Sequence, residues 1–169
     1  MRPFWCVRRP RAGAALVLVS SLFVGCGYRL TPWGANLPEG LHSVCAPVMG
    51  NETAEPALET LFTRFLRQQL TQAGRLGTGA ACDGRIEGTV MNVGTSPTII
   101  ANNYRVTSMV RLRLMKDERV LGETVVSGTE DYLQGTGDIL EAEANRQAAL
   151  ARLAEVLMRD GYARLASAW

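Results

Sequence analysis

Three consecutive segments of this chain alternate apolar and polar residues with a period of two, and a segment of helical period stands on either side of them. Ile86, Gly88 and Val90 alternate with Arg85, Glu87 and Thr89 in the first of the three. Tyr104 to Lys116 places Val106, Val110, Leu112 and Leu114 on one parity and Arg105, Arg111 and Arg113 on the other. Asp117-Glu118 makes a turn, and Arg119 to Leu133 follows with Val120, Thr124 and Val126 on one parity. Three alternating strands in a row form an antiparallel meander with one apolar face, and that face has to be covered by something else in the chain.

The flanking segments supply the cover. Leu58, Leu61, Phe62, Phe65, Leu66, Leu70 and Ala73 recur every three and four residues in a helix that begins near Glu55-Pro56 and closes at Gly74. The last helix starts at Asp138 with Glu141 at capping-box spacing, and its apolar side is read as Leu140, Ala144, Ala148, Leu150, Leu153, Ala154, Leu157, Met158 and Leu165, with Gly161 a local weak point. Ahead of the first helix, His42 to Met49 alternates toward Val44, Ala46 and Val48, which reads as one more strand. The expected order is β-α-β-β-β-α. The fold class is α+β, a two-layer sandwich whose four-stranded sheet is covered on one face by two helices.

The beginning of the chain carries an address rather than a packed element. Arg2, Arg8, Arg9 and Arg11 precede an apolar run from Ala12 to Val24, and the run is too short to span a bilayer as a helix. Leu22-Phe23-Val24-Gly25-Cys26 then resembles a bacterial lipobox, with Phe23 where Leu is usual. That resemblance implies cleavage after Gly25, acylation of the Cys26 thiol and, because Gly27 rather than Asp follows, sorting to the outer membrane. On that resemblance residues 1–25 are expected to be a lipoprotein signal peptide, 26–40 a lipidated start and Pro/Gly-rich linker, and 41–169 one domain; the alternative is a secretory signal cut elsewhere, with Cys26 an ordinary thiol.

Removing the leader reverses the charge. The precursor is formally +2, but of its 18 basic residues four are leader arginines, so the remaining chain has fourteen against sixteen acidic residues. A chain near −2 lacks the electrostatic footprint of a nucleic-acid binder. On the lipobox reading Cys6 leaves with the leader and Cys26 carries lipid. Cys45 and Cys82 remain, either as a disulfide in a compartment that permits one or as two small buried side chains.

The residues offer little to catalysis. His42 is the only histidine and has no partner at motif spacing. Glu52, Glu55 and Glu59 imitate an acidic metal cluster, yet suit the positive end of a helix dipole, as do Glu141 and Glu143. No nucleophile elbow, phosphate loop, dinucleotide fingerprint or zinc spacing is present, so no catalytic residue, cofactor or metal is expected. Two surfaces invite binding instead. One is the outward set Arg105, Arg111 and Arg113, which either takes phosphates or carboxylates of a ligand or pairs across strands with residues such as Glu87 and Glu123. The other is the loop read from Gly94 to Asn103, whose tip holds Ile99 and Ile100, set to meet a partner protein or to fold back on their own domain.

Cys26-Gly27-Tyr28-Arg29-Leu30, Leu37-Pro38, Asn51-Glu52-Thr53, Glu55-Pro56-Ala57-Leu58-Glu59, Glu87-Gly88 and the helix from Glu141 to Arg152 together resemble the LPS-assembly lipoprotein family, LptE. The resemblance implies a non-enzymatic lipoprotein, anchored on the periplasmic side of the outer membrane, that plugs and helps assemble the LptD β-barrel and takes part in delivering lipopolysaccharide to the surface. Some family members bind lipopolysaccharide through basic residues near the loop before the third strand and the start of the last helix. Here that loop has no Lys or Arg and that helix start is acidic, so Arg105, Arg111 and Arg113 are the chemical substitutes. The stretch from Ala46-Pro47-Val48 through Asn51-Glu52-Thr53 also resembles lipoprotein activators of peptidoglycan synthases and curli-secretion lipoproteins, from which the meander and single closing helix set this chain apart. A periplasmic hydrolase is the remaining alternative.

Overall fold

A computed structural model describes residues 37–38, 40–78 and 82–167. The signal peptide and Cys26 lie outside the described residues. The elements are β1 (Val44–Cys45), β2 (Gly50–Asn51), α1 (Leu58–Gln72), β3 (Gly84–Pro97), β4 (Asn103–Lys116), β5 (Arg119–Leu133) and α2 (Ile139–Ser167). β3, β4 and β5 form the expected antiparallel meander, and β1 and β2 both pair in parallel with β3. One continuous core joins the inner face of this sheet to both helices.

β4 keeps its alternation from Val106 to Leu114 and departs from it only at Met115, which is buried as well. Val106, Ser108, Val110, Leu112 and Leu114 are buried, and the arginines between them face out. Each neighbouring strand carries one extra residue relative to its partner, and each insertion changes which side chains face inward. In β3 the insertion is Met91, since Val90 pairs with Val110 and Asn92 with Met109. Ser108 Oγ donates to the Asn92 carbonyl at 3.0 Å beside this irregularity. In β5 it is Leu121, since Leu114 pairs with Gly122 and Met115 with Val120. Val120, read as core from its parity, is therefore exposed, and Leu121 packs against the core in its place.

The strand expected over His42 to Met49 is split for the same reason. Val44 pairs with Gly84 and Gly50 with Thr89, so the first strand uses one residue more than β3 over that stretch. Pro47 sits in the excursion, where its missing N–H breaks no ladder bond. Parity shifts by one: Ala46 and Met49 are buried and Val48 is exposed, correcting the inward reading of Val48. The freed backbone groups are held by two side chains one turn apart on α1. Arg67 Nε donates to the Ala46 carbonyl at 2.9 Å, and the Met49 N–H donates to Thr63 Oγ1 at 3.0 Å. Gly88 completes the fit, because a Cβ there would lie 2.6 Å from the Met49 sulfur.

Asn51 explains the turn that follows. Its Oδ1 accepts from the Thr53 N–H and hydroxyl, while its Nδ2 donates to the Glu55 carbonyl at 2.7 Å and to Glu59 Oε2 at 2.9 Å. This bracing carries the chain into α1, which starts at Leu58 rather than at Pro56 and has left-handed Ala57 before it, with no side-chain cap. At its other end Gly74, with φ of 65°, donates to the Thr71 carbonyl and Arg75 donates to that of Leu70, a Schellman closure.

α2 is capped by Asp138, whose Oδ1 accepts from the Leu140 N–H at 2.9 Å. Glu141 reaches past the cap to the Thr136 N–H and hydroxyl, and these bonds hold its carboxyl below the usual carboxylate range. Burial along α2 begins at Ala149, so Leu140, Ala144 and Ala148 are corrected from core to surface. Gly161 is a close-packing point rather than a weak one: a Cβ there would lie 2.5 Å from a Leu112 methyl. The β3–β4 loop is also shorter than expected, because Gly94 to Pro97 continue β3, pairing with Thr107 to Tyr104, and only residues 98–102 lie between the strands.

Two staples fasten β1 to the start of β3. Cys45 and Cys82 are joined by a disulfide, with Cα atoms 5.7 Å apart. Asp83 Oδ2 accepts from the His42 N–H, the Ser43 N–H and the Ser43 hydroxyl at 2.9, 2.8 and 3.0 Å. Closing a loop of 37 residues' separation stabilises by about 4 kcal/mol in the chain-entropy model. Reduction is accordingly expected to lower the denaturant midpoint by a matching amount, and equal midpoints with and without reductant would refute it. The hydrogen bonds to Asp83 hold its carboxyl below the usual range, so its stabilisation is present above the unfolded value and fades as pH falls toward the folded one. Between about pH 5 and pH 3 the melting temperature of the native chain should fall faster than that of Asp83→Asn.

Candidate interaction surfaces

The face of the sheet turned away from the helices carries the arginines picked out in the sequence, and each has a carboxylate partner. Arg105 lies opposite Asp131 in register and grips it with two bonds, Nε to Oδ1 at 2.6 Å and Nη2 to Oδ2 at 2.9 Å. This fork pulls the Asp131 carboxyl below its ordinary range and raises the guanidinium. Arg113 Nε donates to Glu123 Oε2 at 2.8 Å, and Arg111 Nε approaches Glu123 Oε1 at 3.5 Å. Glu87, which lies opposite Arg113, instead accepts from Arg85 at 2.6 Å, and Arg85 also reaches Glu118 at 3.1 Å. Four arginines thus meet four carboxylates, so these groups balance in number, although Arg85 takes two of the carboxylates and Arg111 and Arg113 share one. The structure brings Arg111 and Arg113 together on one glutamate. It leaves Arg105 six residues along the strand, roughly 20 Å away.

One end of the domain has the opposite character. Ile99 and Ile100 do not fold back: Ile99 is wholly exposed and Ile100 is 62 % exposed. Three more large apolar side chains share that end, Leu133 at 61 %, Ile139 at 82 % and Leu140 at 79 % exposure. Backbone and side-chain bonds tie the two segments that carry them. Leu133 pairs with Asn103, the Gln134 N–H donates to the Asn102 carbonyl at 3.0 Å, and Asn102 Nδ2 donates to the Gly135 carbonyl at 2.9 Å. Leu133, Ile139 and Leu140 were not read as surface from the sequence. Their signal is position: they sit just before the Gln134–Gly137 turn or at the α2 cap, ahead of the residues that reach the core.

Two of the three acidic residues resembling a metal cluster, Glu55 and Glu59, have other duties. Glu55 accepts two bonds from the Arg146 guanidinium, one at 2.9 Å, in a half-buried pair that ties the β2–α1 turn to α2. Arg146 also donates to Thr95 Oγ1 at 3.3 Å and meets Glu143 at 3.5 Å. Glu59 is taken by Asn51. Among the described residues, no group of three or more His, Cys, Asp or Glu side chains is arranged to hold a metal ion, and no helix is long and apolar enough to cross a membrane.

Solved structures share this architecture at low identity. A lipoprotein-described structure from Caulobacter crescentus CB15 is 17 % identical with a TM-score of 0.55, over 71 % of this chain and 88 % of its own. The PelC dodecamer from Paraburkholderia phytofirmans is 15 % identical with a TM-score of 0.51, over 74 % and 89 %. Rare lipoprotein B from Shewanella oneidensis is 11 % identical with a TM-score of 0.50, over 75 % and 96 %. These likenesses establish the fold. Comparison with curated proteins gives no significant match. The family model for LptE, described as lipopolysaccharide-assembly, matches residues 41–165, which run from the residue before His42 almost to the end of α2 and take in every strand and both helices. The chain belongs to the LptE family of lipopolysaccharide-assembly lipoproteins.

Proposed function

We propose that this protein is held on the periplasmic side of the outer membrane by acyl chains on Cys26, and that its domain plugs an LptD-type β-barrel. In that position it assists assembly of the barrel and takes part in delivering lipopolysaccharide to the cell surface. The observation that carries the reading is the family match across the whole folded domain. The lipobox-like stretch ending at Cys26 supports the anchor, since each buried CH₂ of an acyl chain stabilises attachment by roughly 0.8 kcal/mol. The role is structural rather than catalytic. Ile99 and Ile100 contact the barrel, and the paired arginines Arg105, Arg111 and Arg113 give the lumen a polar, electrically balanced wall.

Gentle extraction of the tagged native protein should recover a large outer-membrane barrel, and mass spectrometry of the mature N-terminus should find acylated Cys26. Recovery of a peptidoglycan synthase with no barrel would overturn the plug reading. Replacing Ile99 and Ile100 with Asp should weaken recovery of the barrel at least tenfold. Because both side chains are exposed, stability should move by less than about 0.5 kcal/mol. A large drop in melting temperature would instead make them part of the packing.

A further inference from the structure

The charge around the apolar end says what kind of surface it fits. Residues 94–104 contain no ionisable lysine, arginine or carboxylate, and residues 132–145 contain Asp138, Glu141 and Glu143 with no basic residue. The two arginines nearest in sequence are both occupied, Arg105 on Asp131 and Arg146 on Glu55. Within these two segments, among the described residues, the five exposed apolar side chains are therefore accompanied by three carboxylates and by no basic side chain.

We infer that this end, formed by Ile99, Ile100, Leu133, Ile139 and Leu140, docks onto a protein surface of the barrel in which an apolar patch is flanked by lysine or arginine, and that it does not receive a lipid phosphate. The inference rests on the barrel reading and names the chemistry of the contact. Apolar burial supplies the attraction, and the carboxylates set the partner. Asp138 is already fixed as the α2 cap, and Glu141 is fixed by Thr136, so their charges are held in place before any partner arrives. A phosphate-bearing lipid would meet the same carboxylates as repulsion.

The test uses the full-length acylated protein with a photo-crosslinking amino acid at Ile99 or Leu140, followed by peptide mapping. Crosslinks to a barrel segment containing Lys or Arg beside apolar residues are expected. Charge is probed separately with Asp138→Asn plus Glu141→Gln, which keeps cap-forming chemistry while removing two charges. Barrel association should weaken about fivefold at low salt and be nearly unchanged at 1 M salt, where the screening length is about 3 Å. Binding to vesicles of zwitterionic phosphatidylcholine and of anionic phosphatidylglycerol, and to purified lipopolysaccharide, should not depend on Ile99 or Leu140. Crosslinks to lipopolysaccharide, crosslinks only to barrel segments lacking basic residues, or a charge-removed variant that binds as well as the native protein at low salt would each overturn the inference while leaving the barrel reading standing. Absence of any barrel with the native protein would overturn both.

Discussion

Everything in this domain is registered against β4. It is paired with β5 along its whole length and with β3 from Tyr104 to Met115, and its alternation runs unbroken from Val106 to Leu114, so it fixes an inner and an outer face before any other element is placed. The adjacent strands accommodate to it by single-residue insertions at Met91 and Leu121. The helices accommodate as well: Gly161 lets α2 approach Leu112. Shifting β4 by one residue would bury its arginines and expose its leucines, which no local adjustment could offset.

Most of the architecture was legible because strand and helix periods are properties of the local sequence. The meander, the Asp117-Glu118 turn with both residues at positive φ, and the Asp138 cap could all be read from short stretches. Insertions could not, since an extra residue is defined only against a partner strand far away in sequence. Val48 and Val120 were assigned inward on parity for that reason, and both are exposed. Leu140 was misplaced differently: its helical spacing was right, but the sheet it was expected to cover does not reach that far under the first turns of α2.

The surfaces were legible in composition and not in state. The sequence shows three arginines on one parity, but whether they are available depends on Asp131 and Glu123 arriving opposite them, which is a matter of hairpin register. Ile99 and Ile100 could be placed at a loop tip, whereas their association with Leu133, Ile139 and Leu140 needed the pairing of Asn103 with Leu133. The family's motif Asn51-Glu52-Thr53 acquires a physical reason in the same way, as a side chain that braces the turn between the first strand and α1.

The length of β3 gives the domain a long axis with two unlike poles. At one pole the chain arrives, with Leu41 against Gly84 and Val44 paired to it. At the other, beyond the last of the strand's 14 residues, the turn carrying Ile99 and Ile100 projects. At about 3.3 Å per residue the two are separated by roughly 45 Å, which exceeds the ~30 Å hydrocarbon thickness of a bilayer. The strand is a ruler: the same rigid element that orders the core also fixes how far apart the two poles stand.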